Sequence, residues 1–203
     1  MLPLRILVPL IVACALFMEN LDATVLSTAI PAIAHDLQQS PIQLKLALTS
    51  YLLTLAVFIP ASGWVADRFG TRIVFRLAIL IFALGSALCG FASSIQVLVA
   101  ARALQGIGGA MMVPVGRLVI LRTIPRSEFV GALAWLTIPA LMGPVIGPPV
   151  GGFITTYFTW RWIFWINLPM AVLGITLATL FIPNVRGETV SWSGRAGLGI
   201  GDT

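Results

Sequence analysis

Residues 73–92 read IVFRLAILIFALGSALCGFA, a run with one charged side chain, Arg76, close to its start. A helix rises about 1.5 Å per residue, so such a run reaches about 30 Å, the thickness of a bilayer's hydrocarbon core. Its apolar residues are continuous rather than alternating, which argues against a barrel strand. Working outward with the same window gives five more runs, Ile6–Ile30, Leu46–Val65, Ile95–Leu121, Phe129–Ile154 and Trp162–Ile182. The connectors Ala34–Ser40, Asp67–Arg72, Ser93–Ser94 and Arg122–Glu128 are short and turn-rich, so neighbouring helices are expected to be antiparallel.

Composition agrees. Of the 203 residues 59% are hydrophobic and 9% charged, far too few charges to cover a water-soluble globule. The reading is an all-α membrane protein with six transmembrane helices. The net charge of +5 does not indicate nucleic acid, because the basic residues are spread through the connectors and form no patch. Cys14 and Cys89 lie in separate apolar runs and His35 is the lone histidine, so no disulfide framework, metal site or metal cofactor is expected. No serine nucleophile shares a helix face with His35, and no paired carboxylates suit a metal hydrolase, so no catalytic residue or enzyme activity is expected.

Cytoplasmic loops retain lysine and arginine. With the N-terminus inside, Arg5, Arg68, Arg72, Arg76, Arg122, Arg126, Arg186 and Arg195 fall on the cytoplasmic side and only Lys45 and Arg161 outside. Both termini are therefore expected in the cytoplasm. The first run continues beyond the small residues Ala13-Cys14-Ala15, so it is expected to stay as a span and not to be cleaved as a signal. Trp160, Trp162 and Trp165 suit an outer interfacial belt. Residues 1–182 form the expected bundle. Residues 183–203, rich in glycine and serine, read as a cytoplasmic tail or a truncated linker.

Charged groups inside spans are costly and need a partner or water. Asp22 lies eight residues before Ile30, and Arg102 seven after Ile95, which sets both about 10–12 Å below the outer surface. They are expected to face one central cavity. Glu19 is on the same helix face as Asp22 and enters that cavity deeper, and Gln105 follows Arg102 by three residues. Two roles fit: charges that lock helices together, or charges that carry function. Arg117, near the inner interface, reads as a snorkelling side chain.

Span five carries Gly143, Pro144, Gly147, Pro148, Pro149, Gly151 and Gly152, which predicts a bent, closely packed helix. Gly106, Gly108, Gly109 and Ala110 suggest a small-residue face on span four. The loop after span two holds Gly63, Asp67, Arg68, Gly70 and Arg72. Asp67 is placed to accept from exposed backbone donors, and the loop is either a plain stop-transfer hairpin or a conformational element. Gly63, Phe69 and Arg72 recur 89 residues on as Gly152, Phe158 and Arg161, as a 3+3 inverted repeat would have it.

These motifs together resemble the N-terminal half of the major facilitator superfamily, in the 14-helix, EmrB/QacA-type drug:proton antiporter branch. Gly63 to Arg72 is similar to the signature loop between helices two and three, although Thr71 stands where a basic residue is frequent. Arg102 to Gly109 resembles the fourth-helix motif associated with proton coupling, Leu21 to Val25 with Pro31 the first-helix motif, and Gly143 to Gly152 the antiporter motif of helix five. Trp160 to Pro169 looks like the start of helix six in that branch. The resemblance implies proton-coupled efflux of hydrophobic or cationic drug-like small molecules from a bacterial inner membrane. Asp22, with Glu19, would carry the proton, Arg102 would tune it, Gln105 would line the cavity, and the Gly63–Arg72 loop would gate. No cofactor beyond the proton gradient is implied. The implied partners are lipid, substrate, and a missing C-terminal half or a second subunit. The alternative is a truncated or half-transporter module that transports nothing alone.

Overall fold

The computed structural model describes residues 4–185. The expectations for the tail from Arg186 onward, including Arg186 and Arg195, concern residues outside the described ones. Within them every regular element is helical. These are α1 (Leu4–Asp36), α2 (Pro41–Phe69), α3 (Thr71–Gly90), α4 (Ile95–Thr123), a 3-10 turn (Arg126–Glu128), α5 (Phe129–Tyr157), α6 (Trp162–Trp165) and α7 (Asn167–Phe181). Counting the short α6 with α7, these make six apolar spans.

The helices outrun the apolar runs that predict them. α1 continues through Ala34 to Asp36, and α2 through Asp67 to Phe69, because a capped helix extends into water at no hydrogen-bond cost. Ser40 opens α2 with a capping box: its hydroxyl accepts from the Gln43 N–H, and the Gln43 side chain accepts from the Ser40 N–H. A single residue, Gly70 at φ 95°, separates α2 from α3. The sixth span runs from Trp162 to Phe181 with Ile166 in α-helical conformation; Pro169, which has no N–H, interrupts the hydrogen-bond ladder between α6 and α7.

Packing divides the helices into two groups. In the most apolar windows of α1, α3 and α4, 56% of residues are buried inside the bundle, against 17% for α2 and α5. Phe75, Phe82, Ile11, Met18, Met112 and Ile120 fill one core region, and Phe164, Ile163, Leu98 and Ile33 the other. α2 leaves Leu52, Leu53 and Val57 exposed on its outer face, and α5 leaves Ile138, Leu141 and Val145.

The proline-rich stretch of α5 does not interrupt it; the helix runs unbroken through Pro139, Pro144, Pro148 and Pro149. Pro144, Pro148 and Pro149 occupy the exposed face, while Gly143, Gly147 and Gly151 are buried against α1. Those glycines meet Asn20, Thr24 and Thr28, so two four-residue periods interlock. A methyl at Gly147 would run into the Thr24 side chain, whose hydroxyl donates to the Asn20 carbonyl at 2.9 Å and is not free to move. At Gly152 the same methyl meets nothing within 4 Å. Gly147→Ala is therefore expected to destabilise the bundle by about 1–3 kcal/mol, and Gly152→Ala to leave it unchanged. Thermal unfolding of the purified chain in detergent checks the contrast.

Trp160 departs from the expected aromatic belt. It is only 4% exposed, its indole N–H donates to Asp36 Oδ2 at 2.9 Å, and the Arg161 guanidinium lies over its ring at 4.4 Å. Arg161 also pairs with Asp36 and donates to the Ala92 carbonyl, tying α1, α3 and the turn before α6 together at this end. Trp162 is 55% exposed.

Candidate functional site

Asp22 on α1, Ser86 and Cys89 on α3, and Arg102 and Gln105 on α4 converge inside the bundle. Arg102 and Gln105, three residues apart on one helix face, both reach Asp22. Asn167 joins them as the first residue of α7. Helix–helix approach at Gly85 and Gly108 brings α3 close enough to α4 for this meeting.

Asp22 is the hub. Its Oδ2 accepts from Arg102 Nη1 at 2.5 Å, and its Oδ1 accepts from Gln105 Nε2 at 3.0 Å and Asn167 Nδ2 at 2.8 Å. Gln105 Oε1 accepts from the same Arg102 Nη1 at 2.6 Å, and Asn167 also donates to Ser86 Oγ, which donates in turn to the Phe164 carbonyl. Three donors and no acceptor are aimed at the Asp22 carboxyl, the pattern that an ionised carboxylate satisfies. Arg102 Nε and Nη2 have no acceptor, and the guanidinium lies 4.3 Å from the centre of the Tyr51 ring. A buried cation with so few acceptors depends heavily on its one counter-charge.

The structure thus brings Asp22, Arg102 and Gln105 together at the matching depth read from the sequence, but not in an open cavity. The Asp22 and Arg102 side chains are 1% and 0% exposed. Close packing of α3 on α4, and of α7 on α1 and α3, leaves no vestibule around the pair. Glu19 is set apart from them. Its Oε1 accepts from the Tyr51 hydroxyl at 3.2 Å, and the residue lines a cavity of about 420 Å³ between α1, α2 and α4 together with Leu55, Ile59, Gly109 and Arg117. Of the four proposed cavity residues, it alone lines one. Arg117 is exposed.

At the other end of α2, Asp67 accepts from the Arg122 guanidinium of α4 and not from backbone donors. Those donors are already engaged: the Gly70 N–H bonds the Ala66 carbonyl at 2.9 Å and the Thr71 N–H bonds the Val185 carbonyl at 3.0 Å. Arg68 lies over the Trp64 ring at 5.9 Å, while the Arg72 Nε is buried without a partner. Asn184 packs against Gly70, closing the chain after α7 onto the turn. Gly63, like its repeat mate Gly152, has open space where a side chain would go, and Phe69 and Phe158 are both half exposed. Gly106, Gly108 and Gly109 do not form one face: Gly106 and Gly109 approach α2, and Gly108 approaches α3.

Sequence reasoning missed Tyr51, Ser86 and Asn167. All three are polar groups within apolar runs, and a hydroxyl or amide there obeys the same rule as a charge, with a smaller penalty. Counting only ionisable residues hid them. Among the described residues no group of three or more histidine, cysteine, aspartate or glutamate side chains is placed to hold a metal.

Residues 12–197 match the sequence profile of the Major Facilitator Superfamily. The chain is 48% identical over 180 residues to a Yersinia enterocolitica protein named for multidrug resistance, MdtD, and 45% identical over 179 residues to its Escherichia coli K12 counterpart. Each alignment covers 88% of this chain and 38% of the relative, so the chain spans well under half the length of these relatives. Among solved structures, the proton:xylose symporter XylE superposes with a TM-score of 0.78 at 16% identity, over 89% of this chain and 45% of that one. A bacterial homologue of the human lysosomal transporter Spinster, inward-facing and unoccupied, superposes with a TM-score of 0.71 at 19% identity, over 98% of this chain and 47% of that one. Likenesses at such low identity speak for the fold alone. Because the profile runs through all six spans and the same helix arrangement recurs in solved carriers, the chain belongs to the major facilitator superfamily.

Proposed function

We propose that this chain is the N-terminal half of a proton-driven exporter of hydrophobic or cationic drug-like molecules, set in a bacterial inner membrane with its arginine-rich end in the cytoplasm. The observation that carries the reading is the buried Asp22–Arg102 pair, bonded by Gln105 and Asn167, in a chain whose relatives are named for multidrug resistance. A charge pair this deep is poor value as a structural glue, since apolar residues of equal volume stabilise as well. It suits a device in which charge balance changes.

Alternating access rocks two bundles about a central site. Asp22 and Glu19 supply the acids on this side, Arg102 the opposing cation and Gln105 the link between them. When a carboxylate loses its cationic partner inside a low-dielectric bundle, a proton is the counter-charge at hand, which couples rocking to the proton gradient without any cofactor. The Gly63–Arg72 loop, latched through Asp67 to Arg122, serves as the gate. The close fit of Gly143, Gly147 and Gly151 on α1 keeps the half sealed, while Pro144 and Pro148 face outward. Residues 1–182 form the bundle and 183–203 the linker to the second half, and lipid covers the remaining apolar surface.

In everted vesicles carrying this chain joined to the C-terminal half of the Escherichia coli relative, adding ethidium is expected to release protons from the acidified lumen. Ethidium that moves with no accompanying proton flux would overturn the coupling. The half-module reading, in which the chain alone transports nothing, is favoured by the sparse burial of α2 and α5. Efflux by cells producing residues 1–203 alone would remove it.

A further inference from the structure

We infer that Glu19 is the carboxylate at which this bundle takes up and releases a proton, and that Tyr51 conveys the change in its charge to the Asp22–Arg102 pair. The inference rests on the proton-coupled reading above and divides the work between its two acids.

Both oxygens of Asp22 are engaged by donors, so a proton added to either displaces an existing bond. Glu19 differs. Oε1 accepts from Tyr51, while Oε2 is shielded and without any hydrogen-bond partner. A proton that reaches Oε2 from the side of the adjoining cavity breaks no existing hydrogen bond, because Oε1 of the resulting acid still accepts from Tyr51. Release returns that proton to the cavity side. Protonation there replaces an unmatched buried charge with a neutral acid, which costs less to keep out of water.

The groups facing Glu19 are few. Tyr51 comes from α2, Arg117 from α4 across the cavity, Asp22 from the next turn of α1, and Arg102 from α4 beyond the Tyr51 ring. α5 and α7, the other helices packed on α1, contribute no ionisable side chain at this level; the one in α5, Tyr157, ends that helix, and α7 has none.

Tyr51 touches both acids' territory. Its hydroxyl bonds Glu19 at 3.2 Å, and its ring face lies 4.3 Å from the Arg102 guanidinium. An anionic Glu19 draws the phenol proton and enriches the ring that Arg102 rests on; a neutral Glu19 does so less. Loading Glu19 therefore weakens one support of Arg102 and makes it lean more on Asp22. Gly109 leaves the room for this contact: a methyl there would sit 2.8 Å from the Tyr51 hydroxyl and 3.4 Å from Glu19 Oε1.

The test is infrared difference spectroscopy of the purified chain, titrated between about pH 6 and about pH 9, where exposed carboxylates are already ionised, following the C=O stretch of protonated carboxyls. A titrating band is expected in the wild type. It should vanish in Glu19→Gln, persist in Asp22→Asn, and move to higher wavenumber in Tyr51→Phe, where the carbonyl loses its donor. A band that survives Glu19→Gln, or no band in the wild type, overturns the inference. Should Asp22→Asn fail to fold, the Glu19→Gln comparison still decides, since glutamine keeps an acceptor for Tyr51. The vesicle assay separates the two readings. A titrating Glu19 with no ethidium-driven proton release supports this site and sinks coupled export, whereas proton release unchanged by Glu19→Gln sinks this site alone.

Discussion

Arg102→Leu is expected to cost the bundle about 3–5 kcal/mol, because it leaves the Asp22 carboxylate buried without its counter-charge. Asp22 would retain the Gln105 and Asn167 amides, two neutral donors in place of a cation. Asp22→Asn is expected to cost a similar amount from the other side. There Arg102, already short of acceptors at Nε and Nη2, would lose its counter-charge and keep only neutral partners: the introduced amide oxygen, the Gln105 carbonyl and the Tyr51 ring. The pair removed together, Asp22→Asn with Arg102→Leu, is expected to regain most of the loss, since no unpaired charge is left inside. A double-mutant cycle on thermal or denaturant unfolding in detergent measures this. Additive losses would mean that the two charges do not sense one another. The same double variant, stable yet carried in the completed transporter, is expected to move ethidium without protons, and that separates a lock from a coupling device.

Gly108→Ala is expected to be the most damaging single methyl added to the chain. A Cβ there would lie 2.5 Å from the Phe82 nitrogen and 2.6 Å from the Ala78 carbonyl oxygen. Both are backbone atoms of α3, so no side chain can swing away and the helices themselves must part. Gly85→Ala makes the reciprocal clash, 2.6 Å from the Gln105 nitrogen. Each is expected to destabilise by about 3 kcal/mol, at the upper end for overpacking, and to shift Gln105 out of reach of Asp22. Unfolding of the purified chain, with Gly63→Ala as the control at a position open within 4 Å, reads the effect. A Gly108→Ala chain as stable as the control would show that α3 and α4 are not in backbone contact.

Length and hydropathy alone were enough to read six spans, their order and the all-helical class, since a bilayer demands long apolar helices whatever packs beside them. Depth along a helix was legible too: counting residues from the outer ends set Asp22 and Arg102 at one level because the rise per residue is constant. The glycines of α5 announced a close approach, though not to which helix.

Azimuth was not legible. Which way a side chain points around its axis depends on which helices lie beside it, and that is set by non-local packing. Thus the sequence offered one shared cavity for Glu19, Asp22, Arg102 and Gln105, whereas the fold buries three of them with Asn167 and Ser86 and turns Glu19 to another cavity behind Tyr51. It offered Asp67 to backbone donors, whereas helix continuation to Gly70 and the return of Val185 engage those donors and turn Asp67 to Arg122. It offered Trp160 to the interface, whereas Asp36 draws its N–H inward. Spans and depths follow from one-dimensional arithmetic against a slab of fixed thickness. Partners follow only from the rotation of each helix, which its neighbours impose.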